Sequence, residues 1–491
     1  MENHEEAAPR RSRVAGRAVI AAVAGCLVLG GTLMVLPLRP PGPKAPAPPA
    51  PGAQARAAVT TGVAAALPDL AALIGERETH LRRHPRDAES WAVLGAAYVE
   101  QGRRTAEPSY YPKADDALRT SLRVRAKGNA EALGGLAALA NARRDFRAAK
   151  RWGEAALKLD PKRWTTYPPL LDAYTGLGDW KAAERTLERL QGLRGGPAVM
   201  ARAGALYRDR GRREDAMAQL ADAAAGAEAP AERAAYLERV GQLAWERGDR
   251  EPALRHFQEA VRIDPDQRAA QAGQGRVLAA LGRTSEALSA YRMALAKQPH
   301  PQYALELGEL YESLGLRQAA QVQYDLLRAR VRGAAAGGAD EELVLGVFEA
   351  DHGDPQAAVR RLRAEWRRQP GIAVADALGW ALHRAGQDEE ALRYAVRATD
   401  PVHGGGVRSA LHAYHRGVIE RELEMYGPAR RHLQEALRIN PYFSPLLART
   451  AREALTALGE PSVEELPVMD AKTETDTASD TDSESESESE S

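Results

Sequence analysis

Between Leu67 and Leu458 the chain repeats one arrangement of apolar, small and polar positions. A bulky residue is followed three and four positions on by a small or apolar pair, often ending in Gly, and then by an aromatic residue or Leu. A Gly comes next, then Ala, a bulky residue, Ala and often Pro. The clearest copy is Leu237, Val240, Gly241, Gly248, Ala253, Phe257, Ala260, Pro265. The next is Gly275, Leu278, Gly282, Ala287, Tyr291, Ala294, Pro299, in which Gly282, Tyr291, Ala294 and Pro299 each lie 34 residues after their counterparts. Spacings of three and four place the bulky and small residues of each half on one helical face. Gly between the halves suits a left-handed C-cap, and Pro after the second half stops it. The same Gly recurs as Gly102, Gly178, Gly211, Gly315, Gly353 and Gly386. The pattern predicts antiparallel helix pairs. One such pair cannot bury its apolar face alone, so the copies are expected to stack into an all-α solenoid.

These residues closely resemble the tetratricopeptide repeat family, whose 34-residue helix-turn-helix carries a W-L-G-Y…A-F-A-P signature. Trp91, Leu94, Gly95 and Tyr98 open the first copy in that order. Ten units follow, beginning near Ala88, Ala130, Trp164, Pro197, Ala234, Arg268, Pro301, Ala339, Ile372 and Ala410. Leu67 to His84 and Tyr442 to Leu458 read as capping helices, so the resemblance spans about 390 of the 491 residues. It implies a right-handed superhelix with a concave binding face. Three departures stand out. The first unit gains about seven residues between Gly102 and Ala114. Arg144 and Glu424 stand where the turn Gly belongs in the second and tenth units. Gly226 to Ala229, Gly333 to Gly338 and Gly404 to Gly406 read as loops, with no strand before them to make a phosphate cradle.

Outside the repeats the chain changes character. Residues 1–17 are short and basic, and Ala18 to Leu38 is 21 residues without a charge, enough to cross a bilayer as a helix. Arg10, Arg11, Arg13 and Arg17 precede it, against Arg39, Lys44 and Arg56 after it, which orients the solenoid outside the cytoplasm by a margin of one. Its length favours an uncleaved signal anchor. Cleavage near Ala45 or Ala53, or lipidation at Cys26 within Val23-Ala24-Gly25-Cys26, are the alternatives. Residues 39–65 read as a Pro/Ala-rich linker, residues 66–459 as the solenoid and residues 460–491 as a disordered acidic Ser/Glu tail. That tail holds twelve acids and one base, which offsets the excess of base before it and leaves 67 of each in the whole chain. No global charge draws the chain to nucleic acid.

Chemistry is sparse. The single thiol, Cys26, excludes a disulfide framework, and Walker, Gly-x-Ser-x-Gly and His-Glu-x-x-His patterns are absent. His403, His412 and His415 are the weak candidates for a metal, since His412 and His415 share a helix face. No catalytic residue and no cofactor are expected. The resemblance implies that partners are chosen by the first helix of each unit. Its inward positions correspond to Arg208, Asp209, Glu238, Gln242, Trp245, Glu246, Arg276, Glu309, Glu312, Asp376, Trp380, His383, Arg384, Tyr414 and Arg421. Trp and Arg are enriched at binding hot spots, so Trp245 and Trp380 are the expected anchors. Arg208, Arg276 and Arg384 are the expected forks for carboxylate or phosphate, with Gln242, Glu246 and His383 beside them. No unit carries Lys at the fifth position of its first helix, which argues against a clamp for a chaperone's C-terminal carboxylate. The expected protein is a membrane-anchored, non-catalytic scaffold for protein or peptide partners.

Overall fold

A computed structural model describes residues 50–401 and 406–459. The membrane helix expected at 18–38, the acidic tail expected at 460–491 and His403 lie outside the described residues. Among the described residues there is no strand, and no helix is long and apolar enough to cross a membrane. The chain divides after Ala50, and every helix among the described residues belongs to the second unit.

Helices α1 (Pro51–Thr61) and α2 (Leu67–Arg83) precede ten antiparallel pairs. The pairs are α3 (Ala88–Thr105) with α4 (Tyr110–Val124), α5 (Ala130–Ala142) with α6 (Phe146–Leu159), α7 (Tyr167–Gly176) with α8 (Trp180–Leu193), and α9 (Pro197–Asp209) with α10 (Arg213–Gly226). They continue as α11 (Pro230–Glu246) with α12 (Arg250–Ile263), α13 (Arg268–Ala280) with α14 (Thr284–Lys297), and α15 (Pro301–Ser313) with α16 (Arg317–Ala336). The last three are α17 (Glu342–His352) with α18 (Pro355–Arg368), α19 (Ile372–Arg384) with α20 (Asp388–Thr399), and α21 (Ala410–Glu422) with α22 (Tyr426–Ile439). A terminal α23 (Leu447–Ala457) closes the series.

Local chemistry places these boundaries. Asp145 and Asp179 accept the backbone N–H of Ala148 and Ala182, capping α6 and α8. Between them the bulky residue of each second helix settles onto small residues of its neighbours. Phe257, fully buried, lies between Gly241 of its own unit and Gly273 of the next. A Cβ would come within 2.8 Å of its ring at Gly241 and 2.6 Å at Gly273. Leu118 is held in the same way by Gly95 and Gly135.

Several expectations change in detail. Part of the stretch read as a linker is helical: α1 buries Ala55 and Ala58 against Leu70, Leu73 and Ala97. The extra residues of the first unit lengthen α3 past Gly102, which sits inside the helix against Tyr111 and is no turn glycine. Ala106, at φ 53°, takes the left-handed role instead. Gly353 ends α17 at φ −140°, outside the left-handed region. The Gly333 to Ala336 stretch continues α16 and is not a loop. Where turn glycines were missing, Arg144 (φ 59°) and Glu424 (φ 57°) adopt the conformation that Gly178 and Gly282 adopt elsewhere.

The solenoid winds until it meets itself. Turns inside the early units touch the connections between later units, at sequence separations of 160 to 220 residues. Arg104 pairs with Asp264 at 2.6 Å, the side chains 5% and 9% exposed. Asn440 donates to the Trp245 carbonyl at 2.8 Å, Arg213 to the Arg408 carbonyl at 2.7 Å and Gln298 to the Arg103 carbonyl at 3.2 Å, each across 195 residues. Arg147 donates to the Arg367 carbonyl, and Asp340 N–H to the Arg143 carbonyl. One winding therefore takes five to six units.

A non-glycine residue in the left-handed region costs about 1–2 kcal/mol, partly offset by the unfolded-state entropy that Gly adds. Glu424→Gly is expected to raise unfolding stability by about 0.5–1 kcal/mol, read from chemical denaturation.

Candidate functional site: the inner cavity

The first helices of the units face inward and line a cavity of about 1120 Å³. Arg208, Gln242, Trp245, Glu246, Arg276 and Trp380 all contribute to its wall, whereas His383 and Arg384 do not. Ile372, Ala373, Leu411, Tyr442 and Phe443 add apolar surface to the wall.

Adjacent first helices bring opposite charges side by side. Arg208 Nε and Nη2 donate to the two carboxylate oxygens of Glu246 at 2.8 and 2.6 Å, and its Nη1 reaches Asp209 at 2.9 Å. Gln242 Nε2 donates to Glu246 at 2.9 Å and its Oε1 accepts from Arg276 Nη1 at 2.7 Å. Arg276 Nη2 donates to Glu306 at 2.8 Å, and Glu306 also accepts from Tyr291 OH at 3.0 Å and Gln302 at 3.1 Å. The result is one continuous polar ladder across four units. Burial works against the charges of Arg208 and Arg276, but the carboxylates of Glu246 and Glu306 outweigh it and raise both guanidinium pKa values. Burial likewise opposes the charge of Glu246, and Arg208 nonetheless holds its carboxyl below the ordinary range. Arg208 and Arg276 are thus spent on the ladder and do not stand as free forks.

The expected tryptophan anchors are packing residues as well as wall residues. Trp245 is 6% and Trp380 4% exposed. Trp380 Nε1 donates to Asp351 at 2.9 Å, and its ring stacks on His415 with centroids 4.2 Å apart. Arg384 donates to the Ala350 carbonyl at 3.3 Å, and His383 pairs with Asp388. His415 Nδ1 lies 3.0 Å and His412 Nε2 3.6 Å from Asp376. Burial pushes the His412 pKa down, while the two histidines hold Asp376 below its ordinary value despite burial. Among the described residues no group of three or more His, Cys, Asp and Glu is arranged to hold a metal.

The model of the tetratricopeptide repeat family matches residues 239–304 and 273–335. Residues 239–335 are tetratricopeptide repeats. The chain's tetratricopeptide units are similar to those of human IFIT1, solved as a dimer with PPP-AAAA (17% identity, TM-score 0.43, covering 63% of this chain and 72% of that one). They are also similar to a tetratricopeptide repeat protein of Parabacteroides merdae (16%, TM-score 0.32, 53% and 97%). A third likeness is to PilF of Pseudomonas aeruginosa (19%, TM-score 0.34, 41% and 91%). Overlays at these TM-scores carry no argument about function. No curated protein matches the chain.

Glu306, Tyr291 and Gln302 complete the ladder and escaped the sequence reading. A signal existed: the Arg276–Glu306 and Arg202–Asp172 pairs both join first helices of adjacent tetratricopeptide units at a separation of 30 residues. His300 was likewise unmarked. Its Nδ1 accepts the Gln302 N–H at 3.2 Å and caps α15, the helix that carries Gln302 and Glu306.

Two outcomes are expected here. Arg276→Ala should cost about 1.5–3 kcal/mol, the range for hydrogen bonds to charged groups. In a double-mutant cycle with Glu306→Ala, the pair should cost less than the sum of the single changes. The second concerns pH. Burial and Arg144 push the His300 pKa from 6.5 down to about 4. The folded-state pKa is depressed, so the cap's contribution is complete above about 6.5 and is lost as pH falls towards about 4. The loss should be about 0.5–2 kcal/mol, the worth of an N-cap. His300→Asn keeps an acceptor that does not titrate and should flatten this part of the stability–pH curve.

Proposed function

We propose that this protein is a non-catalytic scaffold that holds a segment of a protein partner against the inner face of its solenoid. The observation behind this reading is the cavity itself: six of the eight residues expected from the sequence to contact a partner line one cavity wall. The wall pairs a polar ladder with apolar surface from Leu305, Leu343, Val347, Tyr442 and Phe443. Because both guanidinium groups of the ladder are already paired, a partner's carboxylate gains little there. Backbone amides and neutral polar side chains suit it better, with apolar side chains against the apolar surface. We further propose that residues 18–38 anchor the chain in a membrane with the solenoid on the extracytoplasmic side, on the strength of their length and flanking charges.

A photoreactive residue at Gln242 is expected to crosslink a partner in cells, whereas one at the exposed outer positions Met293 or Val322 is not. Crosslinks confined to the outer positions would overturn the inner-face reading. With a tag after Ser491, protease shaving of intact cells should remove the tag from alkali-resistant membranes. Recovery of the chain in the soluble fraction would instead favour release of the solenoid by cleavage of the N-terminal segment.

A further inference from the structure

Two kinds of junction hold the solenoid together, and they differ in chemistry. Between neighbouring units the buried contact is apolar, as where Phe257 and Tyr291 join one continuous cluster, with the polar ladder beside it on the inner face. Between successive windings the contact is mostly polar. Arg147 and Arg213 reach carbonyls of Arg367 and Arg408, and Arg210 reaches Pro401 O at 3.4 Å. A Cβ at Gly178 would lie 2.9 Å from Pro370 O, and one at Gly211 would run into Gly406 O. Apolar contacts flank this stretch of the seam. On one side Ala334 and Ala339 pack with Tyr111 and Leu136, and on the other Tyr442 packs against the cluster that holds Trp245, with Arg250 3.8 Å over its ring.

The seam also bounds the inner cavity. Early residues such as Thr175, Gly176 and Arg208 share the wall with late ones such as Gly371, Arg408 and Asn440. A cavity of about 1120 Å³ lies just above the usual range for ligand pockets, room for a chain segment and not for a folded domain. We propose that the polar middle of the seam is the gate to this cavity: the two windings part between these apolar contacts, and a partner segment enters sideways through the opening. This rests on the inner-face binding proposed above and adds how that face is reached. The physical ground is the order of strength of the junctions. Hydrogen bonds to carbonyls exchange readily with water, so the seam opens at lower cost than any apolar interface between units.

Spin labels test this in the full chain with Cys26→Ser, placed by Lys181→Cys and Arg367→Cys on opposite sides of the seam. Two distance populations are expected. Arg147→Ala with Arg213→Ala removes two donors from the seam and should enrich the longer distance by about tenfold or more. The rate at which a bulky maleimide labels Gln302→Cys inside the cavity should rise by the same factor. A label pair within one winding, Lys181→Cys and Glu214→Cys, should not change. A single short distance in both backgrounds would overturn the proposal. So would a seam that opens without changing the labelling rate, since the cavity would then be entered from its ends. A change in the control pair would mean general loosening and would equally refute a gate. Crosslinking at Gln242 reports separately on whether the inner face binds at all.

Discussion

The structure depends on a bulky side chain gripped between glycines. Phe257 fills the space that Gly241 and Gly273 leave open, and Leu118 does so between Gly95 and Gly135. The contact joins three helices at once: the second helix of a unit, the first helix of the same unit and the first helix of the next. Helix spacing is therefore set by how far a ring or isobutyl group can sink towards bare backbone. Tyr291 on Gly275, Tyr324 on Gly308, Leu362 on Gly346 and Leu433 on Gly417 continue the scheme. Since each unit repeats the same step, the small rotation between neighbours accumulates into a winding.

That close approach produces the polar ladder. Side chains on adjacent first helices meet across the inner face, and long planar guanidinium groups bridge the gap in two-point contact with carboxylates. Arg suits this geometry and Lys does not, because the fork presents several donors in fixed directions. The imbalance of 58 Arg to nine Lys thus has a structural use on this surface. It also removes Arg208 and Arg276 from the pool of free cations. What remains open is a wall whose arginines are already paired, beside aromatic and aliphatic surface from later units.

The winding brings into contact groups that no single unit relates. Arg104 meets Asp264, and Asn440 meets the carbonyl of Trp245. These contacts turn a concave face into a bounded cavity. They involve connections and turns in place of helix faces, so they lack the repeat signature. Their offsets of 160 to 220 residues reflect the geometry of the winding and no motif in the residues.

Helix pairing and the ten-unit count were legible from residues such as Phe257, Tyr291 and Pro265, because local periodicity directly encodes which side of a helix is buried. The left-handed turns at Arg144 and Glu424 were legible by register alone, since neighbouring units impose the conformation that glycine would adopt freely. The lengthened α3, the helix at Pro51–Thr61 and the role of Glu306 were not. Those depend on what a segment packs against, which local pattern does not record. The sequence by itself determined a stack of amphipathic helix pairs. Tertiary structure alone decided that Trp245 and Trp380 are buried, that the arginines are paired and that the windings touch. Each of these depends on the summed rotation of many units, and a small angle repeated over five or six of them is written in no single one.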